Sequence, residues 1–141
     1  MRQLRILAAI AMLAFVAPTA KGEMFSKNYA FKPNTVLEVG TALDAGLRLD
    51  SIQFLLEADD RSGPANPRVR VTISNLGEKS VRVGISVAAS DDADRLVGAV
   101  SGGTKLFPLR AGRQMPYVLD IDGANSEMSK ATTFRISIEA K

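Results

Sequence analysis

Arg68–Ser74, RVRVTIS, decides the fold: Val69, Val71 and Ile73 fall on one side of an extended chain, with Arg68, Arg70, Thr72 and Ser74 on the other. Side chains alternate along a strand with a period of two. β-Branched residues on one face and polar residues on the other therefore describe a half-buried strand. Ser80–Ser90 (SVRVGISVAAS) repeats the pattern with Val81, Val83, Ile85 and Val87 inward. Near the C-terminus, Phe134, Ile136 and Ile138 alternate with Arg135, Ser137 and Glu139.

Weaker strands fill the intervals. Ser51–Glu57 puts Ile52, Phe54 and Leu56 on one side, Arg95–Ser101 reads as an apolar strand, and Pro116–Asp122 alternates Tyr117, Leu119 and Ile121. Thr104–Leu109 is a strand interrupted by Pro108, and Thr35–Val39 is either a first strand or a short helical turn running into Leu43. Asp59–Pro67, Asn75–Lys79, Asp91–Asp94, Arg110–Arg113 and Asp122–Lys130 carry turn and loop residues. No window after the leader sustains a 3.6-residue apolar period between caps. Seven or eight short strands with frequent turns predict an all-β, Greek-key sandwich, with a small barrel as the alternative.

The run from Val69 to Asp120 resembles the bacterial immunoglobulin-like modules of the CARDB and FxLYD type. The resemblance rests on V-x-V-x-I-S-N-x-G at Val69–Gly77, the alternating strand after it, L-V-G at Leu96–Gly98 and L-x-A-G at Leu109–Gly112. The stretch matching the FxLYD motif itself, Val87-Ala88-Ala89-Ser90-Asp91, keeps only the aspartate. The resemblance implies an immunoglobulin-like Greek-key sandwich serving as an interaction or spacer module. It carries no catalytic residues.

Met1–Gly22 reads as an export leader. Arg2 and Arg5 make a positive start, Ile6–Ala17 is an apolar run, and Ala20-Lys21-Gly22 offers small residues at a cleavage site. That run is shorter than a bilayer span. The expectation is a leader at 1–22, an N-terminal arm at 23–34 and a sandwich at 35–141. The mature chain is expected to be periplasmic or extracellular, without membrane insertion.

The chain holds 18 Lys and Arg against 15 Asp and Glu, and three of the cations (Arg2, Arg5 and Lys21) lie in the leader. Residues 23–141 are therefore balanced, and the basic excess that would attract nucleic acid leaves with the leader. His, Cys and Trp are absent. Zinc sites, copper sites of the His/Cys type, Ser-His-Asp triads and Cys-His dyads are thereby excluded within this chain. No cofactor is expected, and no carboxylate or lysine spacing supports acid–base catalysis. The chain is read as a non-enzyme.

Three motifs yield to plainer readings. Gly98–Lys105 (GAVSGGTK) approaches a phosphate-binding loop, but Lys105 does not directly follow the last glycine, and Leu106-Phe107-Pro108 cannot open the helix that such a loop needs. Asp91, Asp92 and Asp94 cluster as calcium ligands do, yet an EF-hand loop requires a glycine at its sixth position and a distal glutamate, and Val97 and Ala99 stand in that neighbourhood instead; aspartates also cap hairpin loops. Glu57, Asp59 and Asp60 lie too close in sequence to flank a glycosidic bond. Arg68, Arg70 and Arg82 make one anion-attracting patch only if Asn75–Lys79 closes a hairpin within a single sheet.

Two surfaces point to a protein partner. A four-residue loop at Asp91–Asp94 pairs residue 88 with 97 and 86 with 99. The outer face then reads Gly84, Ser86, Ala88, Val97, Ala99 and Ser101, without a charge. An edge strand at Arg95–Ser101 without lysine or proline is open to a partner strand, including one from a second copy of the chain. The second surface is the arm Glu23–Asn34 with Phe25, Tyr29 and Phe31, which either docks on another protein or folds over its own sandwich. The leading expectation is an exported protein-interaction module of an envelope assembly. The alternative is a module for small ligands or glycans, which requires Asp91–Asp94, Arg110–Arg113 and Asp122–Lys130 to converge.

Overall fold

A computed structural model describes residues 24–56, 66–122 and 125–141. The leader, the carboxylates Glu57, Asp59 and Asp60 and most of the Asp59–Pro67 loop lie outside the described residues. Eight strands follow one another as β1 (Met24–Ala30), β2 (Val36–Ala42), β3 (Leu47–Leu55), β4 (Arg68–Asn75), β5 (Val83–Ser90), β6 (Leu96–Gly103), β7 (Gln114–Asp120) and β8 (Thr133–Ala140). One short helix, α1 (Asn125–Met128), precedes β8. The strands form two antiparallel four-stranded sheets, ordered β1-β8-β5-β6 and β2-β3-β4-β7. β7 returns beside β4 after the β5–β6 hairpin has crossed to the other sheet, which is a Greek-key path. The protein is an all-β sandwich, as the alternation predicts.

The core is the inward half of each alternating strand. Val69, Val71 and Ile73 of β4 and Leu49, Ile52 and Phe54 of β3 face Val83, Ile85 and Val87 of β5 and Phe134, Ile136 and Ile138 of β8, and all are buried. A fully buried aliphatic or aromatic side chain contributes roughly 1.5–3 kcal/mol, so the two central strand pairs dominate stability. The turn at Asn75–Lys79 crosses between sheets. Arg68 and Arg70 therefore lie on one sheet while Arg82 precedes a strand of the other, and the cationic patch is split.

Three expectations are corrected and one open alternative is settled. The 23–34 segment is no free arm: Met24–Ala30 pairs in register with β8, from Met24 opposite Glu139 to Ala30 opposite Thr133. Of the two readings of Thr35–Val39, the strand is the one found: it begins at Val36 as β2. Thr104–Leu109 is no strand; it makes a single bridge, between Leu109 and Val81, and Pro108 helps to explain why pairing stops. The Asp122–Lys130 loop contains α1, whose Met128 is fully buried.

Gly98 and Gly102 both lie inside β6. A Cβ on Gly98 would overlap the Met128 sulfur, and one on Gly102 would overlap Leu119. Here glycine serves close approach: it lets an edge strand settle against α1 and β7. Among the described residues no helix is long and apolar enough to cross a membrane.

Candidate functional site

The expected β5–β6 face exists, with a different register. Asp91 Oδ1 accepts the amides of Ala93 (3.0 Å) and Arg95 (2.9 Å), and Asp91 N donates to Arg95 O at 2.9 Å. Asp94 adopts a φ of 62°. This is a three-residue hairpin loop ending in a left-handed residue, one shorter than the sequence reading assumed. Val97 is then extruded as a bulge between Leu96 and Gly98, which shifts the ladder again. Ala88 faces Ala99, Ser86 faces Ser101, and Gly84 faces Gly103. Val97 leaves the outer face and packs half-buried against the core.

The same register runs across the whole sheet. Ser26, Ser137, Ser86 and Ser101 stand in one row over β1, β8, β5 and β6. Hydroxyl pairs join Ser26 to Ser137 and Ser86 to Ser101, each at 3.0 Å. β8 adds Arg135 and Glu139 on either side of this row, so the face is uncharged only over its β5–β6 half. β6 is an edge strand, as expected, but Ala99 already bridges to Asp122 along that edge.

The aromatic residues of the first strand, and Phe31 just after it, turn to the protein's own core. Phe31 is 8% exposed and packs on Phe54 at a centroid distance of 4.6 Å. Tyr29 stacks on Phe134 at 5.6 Å, and Phe25 is half-buried against the core. Burial raises the Tyr29 pKa, and its hydroxyl has no hydrogen-bond partner among the described residues.

The loops that a ligand-binding end requires do not all meet. Thr132 N donates to Ser90 O, and Met128 lies under Gly98, so the segment around α1 sits beside Asp91–Asp94. Arg110–Arg113 is tied to Asn75 at the opposite end of the strands, where Gly112 N donates to Asn75 O and Asn75 N to Arg113 O, each at 2.8 Å. Asp91 itself is committed to its hairpin. The Arg95 amide, followed by the Ala93 amide and the Arg95 guanidinium, holds its carboxyl below the usual range against the opposing effect of burial. Among the described residues no three acidic groups gather as a metal site would need.

The surface that the sequence reading missed lies between the β6–β7 loop and β7. Thr104 is pinned to Val83, with its amide donating to Val83 O (2.9 Å) and its hydroxyl accepting from Val83 N (3.0 Å). Arg82 Nη1 donates to Lys105 O at 2.9 Å. Leu109 and Val81 exchange two backbone bonds of 2.8 and 2.9 Å. The short tip between these anchors carries Leu106, 82% exposed, and Phe107, 75% exposed. The tip forms one wall of a groove of about 780 Å³; the other wall is the edge strand β7, with Met115, Tyr117 and Val118. Lys105, Arg110 and Arg113 line the same groove, and among the described residues no acidic side chain does. The KLFPLR run was legible as apolar residues between cations, but reading it as an interrupted strand hid that signal.

No known family model and no curated protein sequence matches this chain.

Proposed function

We propose that this chain is an exported, non-catalytic, immunoglobulin-like interaction module that binds a partner protein in the groove beside β7. The observation that carries the reading is the pinned tip holding Leu106 and Phe107 in solvent. Adjoining large apolar side chains kept exposed by fixed anchors cost solvation and return nothing to the core, which is the mark of a contact surface. The missing histidine and cysteine, and the engagement of Asp50 and Asp91 in structural hydrogen bonds, favour binding over chemistry.

The test is mild crosslinking in the host envelope with the full chain carrying a C-terminal tag, compared with Leu106→Ser/Phe107→Ser. A partner captured in stoichiometric amount by the native chain and lost from the variant supports the reading. Equal capture by both chains removes the groove from it.

A further inference from the structure

Resting on that reading, we infer that the partner offers the groove an extended, acidic segment with interspersed apolar residues. Three observations converge. The groove runs along Gln114–Leu119 of an edge strand, a length of roughly 20 Å at about 3.3 Å per residue, which suits an extended chain more than a compact ligand. Its floor and tip supply apolar contact through Tyr117, Met115, Leu106 and Phe107.

The third observation is charge. Lys105, Arg110 and Arg113 line the groove, and none of them forms an ion pair with a described residue. Carboxylates spaced along an extended segment would meet these cations while the alternate side chains enter the groove. An anionic membrane also attracts cations beside exposed Leu and Phe. A bilayer surface, however, meets a protruding tip and cannot follow a concave channel down to the half-buried Tyr117.

Pro116 adds selectivity against the wrong partner. It removes one backbone donor from β7, and proline on an edge strand discourages open-ended pairing with further copies of the same strand. Side-chain complementarity along the groove, not a continuous ladder, then selects the occupant.

The experiment places a benzophenone photocrosslinking amino acid at position 106 of the full chain in its host envelope and maps the adduct by mass spectrometry. The expected result is a single partner peptide of net negative charge. Its yield should fall about tenfold or more in Arg110→Glu/Arg113→Glu and hold in Arg110→Lys/Arg113→Lys. A protein adduct unaffected by charge reversal, or one lacking acidic residues, overturns this inference and leaves the interaction module standing. Lipid adducts, or no adduct together with unchanged capture by Leu106→Ser/Phe107→Ser, overturn both.

Discussion

Asn75 is fully buried, and its side chain closes three backbone groups at the end of β4. Nδ2 donates to Lys79 O (2.8 Å) and Leu109 O (2.9 Å), while Oδ1 accepts from Gly77 N at 3.0 Å. The asparagine of the S-N-x-G run thus fastens the turn between sheets to the loop that carries the groove. Replacing it leaves buried donors and acceptors unpaired. Asn75→Ala is expected to lower stability by about 3 kcal/mol in urea denaturation.

Asp50 is the corresponding polar anchor on the outside of the second sheet. It bulges between Leu49 and Ser51 and accepts from Arg48, Ser74 and Gln114, tying β3 to β4 and β7. Burial alone would raise its pKa; the hydrogen bonds from Ser74, Gln114 and Arg48, with the Arg48 charge, outweigh that and hold it below the usual value. A lowered carboxyl stabilises the fold above the unfolded pKa of about 3.9, and that contribution is lost as pH falls through the folded value. Thermal melts from pH 7 to 2.5 should therefore show a shallower acid limb in Asp50→Asn. At neutral pH the substitution should cost about 1 kcal/mol, since the site is partly open to solvent.

At the scale of elements, β6 depends on what its glycines admit. Gly98→Ala pushes a methyl group into Met128 and towards Ile121, and is expected to cost about 1–3 kcal/mol. In a Met128→Ala background the added methyl enters vacated space. A double-mutant cycle should return a coupling of about 1 kcal/mol or more; strict additivity would mean that α1 does not rest on β6. The β6–β7 loop behaves in the opposite way, because its large side chains point outward. Leu106→Ser/Phe107→Ser should leave stability within about 0.5 kcal/mol while abolishing partner capture. Stability is thus expected to respond to β6, and partner capture to the loop that follows it.

At the scale of the whole molecule, a sandwich without disulfides places its stability in burial and leaves loops and edges for recognition. The balanced charge of residues 23–141 makes the local cationic groove stand out against a neutral background. Export is expected to yield a chain beginning at Glu23, which intact-mass measurement on protein recovered from the envelope will check; a retained leader would contradict it.

The sequence by itself determined the all-β class and the buried face of the main strands, because alternation along RVRVTIS, VRVGISVAAS and FRISIE prescribes which side of each strand is buried regardless of partners. It also excluded whole classes of chemistry through the residues it lacks. Glu23–Asn34 was harder to read: its strand is held by pairing with β8, more than a hundred residues away, and has only two inward aromatics to announce it. The β5–β6 register escaped as well, since a hydrogen-bonded Asp91 loop and the Val97 bulge each moved the ladder by one residue. Only the tertiary structure decided that Leu106 and Phe107 face solvent. Their exposure follows from anchors at Val81 and Val83, and a short apolar run reads the same whether it is buried or held out in solvent.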